Sequence, residues 1–216
     1  MARLLDISPL VSERLPVWPG DTPYRRSVHA SFENGDRALL SSIETTLHAG
    51  AHADAPGHTL WGAGSIDQQP LVAYYGACQV VKVSVPEGGR VGPDDLGGEV
   101  AAPRLLIRTD SFPAGRFGTR FAGLSPGLAP WLAERGVVLV GVDTPSVDPF
   151  DDPRLESHLA LAQHRIATLE GLVLRDVPPG LYTLIALPLR LEGADASPVR
   201  AVLVDGDGPE IVYYWQ

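Results

Sequence analysis

A single cysteine, Cys78, among 216 residues rules out an intrachain disulfide and gives no sign of an oxidising compartment. It lies in the strand-like run Ala77-Cys78-Gln79-Val80-Val81, where a buried, inert thiol is expected. Long apolar runs are missing too. None reaches the roughly 18 residues a membrane span needs, and Asp6 interrupts the N-terminus before a secretory apolar region can form. A cytoplasmic protein with no membrane partner is the expectation. There is no basic cluster, and a formal charge of −9 argues against nucleic acid as a partner. Lysine is nearly absent, with Lys82 standing against sixteen arginines, a skew that reads as coding bias. Without repeats or charged linkers, residues 1–216 read as one domain.

What is present suits a globular protein: 44% hydrophobic and 20% charged residues. The 23 glycines and 20 prolines are scattered, which predicts many short elements joined by tight turns. Val17-Trp18-Pro19-Gly20-Asp21-Thr22-Pro23 reads as a turn-rich loop. Alternating Ile43, Thr45 and Leu47 predict a strand, and further strands are expected at 78–85, 104–109, 137–142, 182–187 and 199–204. One helix is expected from Ser125-Pro126 to Gly136, another within Leu155–Leu169. Strands outnumber helices, so the expected class is a single α/β domain with a β-rich core.

The stretch from His48 to His58, HAGAHADAPGH, packs three of the six histidines and Asp54 among Ala, Gly and Pro alone. Such small spacers promise little core packing, whereas imidazole and carboxylate are ligands for zinc and similar cations. His48, His52, Asp54 and His58 all fall on even positions, so an extended chain would present them on one face. A straight strand still separates His48 from His52 by about 13 Å, far beyond two bonds of about 2.1 Å to one ion. The chain must therefore curl, and Gly50 is the natural place. A single helical turn bringing His48 and His52 together is the competing geometry. Two histidines and one carboxylate leave a metal open to water, as catalysis requires.

Further ligands would have to come from residues 156–171, where His158, His164 and Glu170 are candidates. By itself the segment reads as an ordinary amphipathic helix. One continuous helix would hold His158 and Glu170 about 18 Å apart, too far to share a site.

The residues from His48 to His58 resemble the HxGTHxDxPxH signature of the cyclase-like metal-dependent hydrolases. Ala51 replaces the usual Thr, as in the kynurenine formamidase branch. The resemblance continues through Asp6-Ile7-Ser8-Pro9, Pro16–Pro23, Gly141-Val142-Asp143-Thr144-Pro145-Ser146, Leu169-Glu170-Gly171-Leu172, Ala186–Leu189 and Ala196–Ala201. It implies a swivelling β/β/α domain, homodimeric or homotetrameric, with two zinc ions per subunit (manganese being the other candidate). The implied reaction is hydrolysis of N-formyl-L-kynurenine to L-kynurenine and formate. By position, His48, His52 and Asp54 would hold the first ion, and Asp54 would bridge to a second completed by His158 and Glu170. His58 would carry the proton, Trp18 would line the substrate pocket, and His164 would stay outside the metal ligands. Both His158 and Glu170 can serve only if the helix between them is short. The rival substrate is another aromatic or cyclic amide such as isatin. A non-catalytic metal-binding protein is the weaker alternative, because it would gain little from a fourth imidazole.

Overall fold

The computed structural model describes residues 3–98, 100–112 and 116–206. Its strands are β1 (Arg3–Asp6), β2 (Arg25–Ala30), β3 (Leu40–Glu44), β4 (His52–Asp54), β5 (Tyr75–Lys82), β6 (Arg90–Val91) and β7 (Arg104–Arg108). After β8 (Gly123–Leu124) and helix α1 (Leu128–Ala133) come β9 (Leu139–Val142), helix α2 (Glu156–Gln163) and β10 (Ala167–Glu170). The described chain closes with β11 (Gly180–Ile185), β12 (Ala196–Pro198) and β13 (Val202–Asp205). None of its helices is long and apolar enough to cross a membrane.

Nine strands form one sheet in the order β1-β13-β11-β5-β7-β9-β10-β4-β12. Its centre, β5-β7-β9-β10, is parallel, and every outer pairing is antiparallel. Within this parallel part, β7, β9 and β10 are buried along nearly their whole length, as strands covered on both faces are. Along β7, Leu106 faces one apolar cluster while Leu105 and Ile107 face the other, which also contains residues of α1 and α2. Gly141 on β9 permits this closeness, since a Cβ there would lie 2.5 Å from Leu106 Cδ2. Cys78 is fully buried on β5, and burial pushes its thiol up to about 12, so it is inert.

Three expectations need correction. The strand through Ile43, Thr45 and Leu47 ends at Glu44 and pairs only with β2 in a separate hairpin, so Ile43 is 65% exposed. From there the chain docks on the opening loop, where Thr46 N–H donates to the Thr22 carbonyl. The helix expected within Leu155–Leu169 stops at Gln163, because Arg165 adopts φ 57 and the Ile166 N–H closes back on the Leu161 carbonyl. The residues after it become β10, and α1 is likewise shorter than expected. Finally, the alanine spacers do build core: Ala51, Ala53 and Ala55 are buried in the main apolar cluster. Their small size lets the polar strand β4 lie inside the sheet between β10 and β12.

The chain turns at Gly50, whose φ is +67, and passes so close to Gly171 (φ +66) that a Cβ on Gly171 would lie 2.1 Å from the Gly50 oxygen. Neither backbone can yield without moving its neighbouring ligand-type residues. Gly171→Ala is therefore expected to cost about 3 kcal/mol or more. Gly62→Ala, at φ +77 with open space around it, should cost only about 1–2 kcal/mol. Urea unfolding of the two variants checks this, and equal losses would contradict it.

Candidate metal centre

Antiparallel pairing of β4 with β10 sets His52 directly opposite Glu170, and Asp54 follows two residues on along the same face of β4. The Gly50 turn folds His48 back until its ring centroid is 4.9 Å from that of His52. His158 enters from the first turn of α2, and the early end of that helix allows Glu170 to reach the same space. His52, Asp54, His158 and Glu170 are all buried.

The contact atoms are specific. Asp54 Oδ1 lies 3.1 Å from His48 Nδ1 and 3.4 Å from His52 Nε2, while Asp54 Oδ2 lies 3.4 Å from His158 Nε2. Glu170 spans the same two sides, with Oε2 3.3 Å from His52 Nε2 and Oε1 3.0 Å from His158 Nε2. Two groups follow that could each hold a cation, His48-His52-Asp54 and Asp54-His158-Glu170. Ligands bonded at about 2.05 Å in a tetrahedron stand about 3.3 Å apart, close to these separations. His52 Nε2 and both Asp54 oxygens are buried without a hydrogen-bond partner, a costly state for ionisable atoms. A divalent cation would satisfy all three. The donor set fits such an ion.

Each imidazole is oriented from behind. His52 Nδ1 donates to the Gly50 carbonyl at 2.9 Å, His158 Nδ1 to Asp148 Oδ2 at 2.8 Å, and His48 Nε2 to Asp195 Oδ2 at 2.9 Å. These bonds leave the lone pairs of His52 Nε2, His158 Nε2 and His48 Nδ1 aimed into the cluster. Asp148 is fully buried and also accepts the backbone N–H groups of Ser157 and His158, which caps α2. Arg90 binds its other side at 3.1 Å.

His58 is different. Its ring lies 4.5 Å from that of His48 and 5.6 Å from that of His158, and its Nδ1 faces Asp195 Oδ2 at 3.5 Å. It belongs to neither of the groups built on Asp54, although it forms a third, more exposed one with His48 and Asp195. His164 is exposed at the end of α2, where its Nδ1 bonds the Ala160 carbonyl.

These groups open into a cavity of about 840 Å³ that Trp18, Phe112 and Phe117 also line. Trp18 occupies the first position of a tight turn closed by the Asp21 N–H on its carbonyl, with Gly20 at φ +98. Its ring packs 4.9 Å from Phe150 and edge-on to Phe117 at 5.5 Å. Asp148, Asp195 and Arg90 were not picked out by sequence reasoning. The two aspartates lie just beside recognised segments, Asp148 two residues past Ser146 and Asp195 one before Ala196.

Without a cation, burial opposes charge throughout the cluster, but pairing prevails. Asp54 and Glu170 are held below the usual carboxylate range by the imidazoles, and His52 and His158 are raised by the carboxylates. His48 rises from 6.5 to about 9 against its burial, through Asp54 and then Asp195. A raised folded-state value contributes stability that is complete below 6.5 and lost as pH climbs through 9. Chelator-stripped protein should therefore melt at lower temperature at pH 9 than at pH 6. Unchanged melting across that window would contradict the pairing.

Residues 5–149 match the Cyclase family model. A kynurenine formamidase of Bordetella petrii is 45% identical over 210 residues, covering 94% of this chain and 98% of that protein. The solved structure of a potential metal-dependent hydrolase with cyclase activity superposes with a TM-score of 0.83 at 25% identity, covering 96% of this chain and all of that one. Isatin hydrolase A from Labrenzia aggregata shares the fold, with a TM-score of 0.78 at 22% identity over 94% of this chain and 93% of its own. Similarity that runs along nearly the whole sequence settles the affiliation: the chain belongs to the cyclase family, in its kynurenine formamidase branch.

Proposed function

We propose that this enzyme hydrolyses N-formyl-L-kynurenine to L-kynurenine and formate with the help of two divalent cations, zinc or manganese. The observation that carries the proposal is the pair of donor groups sharing Asp54, with both Asp54 oxygens buried and lacking hydrogen bonds. His48, His52 and Asp54 would hold one ion. Asp54, His158 and Glu170 would hold the other, and Glu170 faces both sides. When bound, such ions supply Lewis acidity, which makes water a better nucleophile at neutral pH and withdraws charge from the amide oxygen.

The remaining work falls to side chains. Burial lowers the pKa of His58, so its imidazole is neutral at pH 7 and free to accept a proton. Its Nδ1 faces Asp195, which leaves Nε2 to take the proton from the attacking water. The same nitrogen then delivers it to the leaving aniline nitrogen. Trp18, fixed by its turn and by Phe150, would stack on the aryl ring and exclude water from that side. We also read residues 1–216 as one catalytic domain in a cytoplasmic homodimer or homotetramer, on the strength of family membership and composition.

The direct test is turnover by purified protein of N-formyl-L-kynurenine against isatin, with and without chelator. Chelator-sensitive hydrolysis of the first is expected, and hydrolysis of isatin alone would overturn the substrate assignment. His58→Asn should retain bound metal while kcat falls by about 10²–10⁴, and loss of metal would make His58 a ligand. His52→Ala should lose metal and activity together. Full metal content in that variant, measured by elemental analysis after dialysis, would refute its role.

A further inference from the structure

Part of the cavity lining is formed by the chain that leaves Glu170 and runs through Gly171, Leu172, Val173 and Leu174 to Arg175 and Asp176. Arg175 and Asp176 are the two central residues of a tight turn, closed by the Val177 N–H on the Leu174 carbonyl at 3.0 Å. The flanking Leu174 and Val177 are buried anchors, and Arg108 Nη1 donates to the Val177 carbonyl at 3.2 Å. The turn is thus pinned at both ends while its two charged residues stay exposed at the cavity rim.

Most other charges around this cavity are already engaged. Asp110 pairs with Arg108 and Lys82. Asp143 accepts from the Thr109 hydroxyl and from the backbone N–H groups of Thr109 and Asp110. Asp195 holds His48 and faces His58, and Asp21 accepts from the Thr46 hydroxyl. Among the described residues, Arg175 is the one basic aliphatic side chain in the lining. Among the described residues, neither Arg175 nor Asp176 has a side-chain hydrogen bond or an ion-pair partner. One cation and one anion therefore stand at neighbouring positions of a pinned turn in the lining of the cavity that also holds His48, His158 and Glu170, with the Arg108 guanidinium near enough to act on the charge of Asp176.

We propose that the Arg175–Asp176 turn is the subsite that selects an α-amino acid side arm on the substrate, Arg175 taking the carboxylate and Asp176 the ammonium. The inference rests on the formamidase reading, because N-formyl-L-kynurenine carries a zwitterionic arm ortho to the reacting nitrogen. Guanidinium offers a planar fork matched to a carboxylate, and a pinned turn loses little freedom on binding. An isatin-type substrate has no such arm and gains nothing from this turn, so the pair separates the two substrate classes that the metal donors leave equivalent.

The test compares N-formyl-L-kynurenine with formanilide, which has the same reacting bond and no amino acid, in wild type, Arg175→Gln and Asp176→Asn. Wild-type turnover of N-formyl-L-kynurenine is the control for the functional reading, and its absence while formanilide is hydrolysed would sink that reading instead. Given that control, the ratio of kcat/KM for N-formyl-L-kynurenine over formanilide should fall at least about tenfold in each variant, mainly through KM. Inhibition of formanilide hydrolysis by L-kynurenine should weaken in parallel, while inhibition by 2-aminoacetophenone should not. An unchanged ratio, or equal losses on both substrates, would overturn the subsite.

Discussion

Asp54 is the constraint around which the site is organised. A buried carboxylate whose two oxygens find no hydrogen bond is normally excluded from a protein interior, yet here it lies between imidazoles on either side. Its neighbours in sequence explain how the fold tolerates it. Ala53 and Ala55 pack into the core while His52 and Asp54 face the opposite side, so one short strand serves both apolar packing and charge. The parallel strand β10 delivers Glu170 opposite His52, and the turn that ends α2 at Gln163 makes that delivery possible. Mutual pairing offsets part of the desolvation in the absence of metal, as the depressed carboxylates and raised imidazoles indicate. A cation pair would complete it.

Around this centre lies a ring of groups that fix direction. Gly50 provides both the turn and, through its carbonyl, the partner of His52. Asp148 caps α2 and orients His158 at once, so helix position and ligand orientation cannot vary independently. Asp195, contributed by the loop before β12, faces both His48 and His58 and so couples a metal-facing imidazole to the proposed proton carrier.

The sequence disclosed the donors more readily than their setting. Small residues between His48 and His58 made the polar pattern visible, and the 13 Å span of a straight strand pointed to the turn that Gly50 makes. Those same alanines belong to the core, although a short side chain carries little burial signal in the sequence. His158 and Glu170 were legible only through family resemblance. Residues 155–169 have helical periodicity, and what breaks it is a left-handed Arg165, a residue with no turn signature. The β2–β3 hairpin reads like a half-buried strand pair but, among the described residues, joins no larger sheet and stays exposed. Asp148 reaches Ser157 and His158 across a loop of about ten residues and Asp195 reaches His48 across most of the chain, so neither pairing has a periodic signal in the sequence.

The central claim is that Asp54 bridges two cations. Anomalous scattering from crystals grown with zinc, measured above and below the zinc absorption edge, tests it most directly. The account predicts two strong peaks per chain, one among His48, His52 and Asp54 and the other among Asp54, His158 and Glu170. A single peak, or peaks away from Asp54, would contradict it.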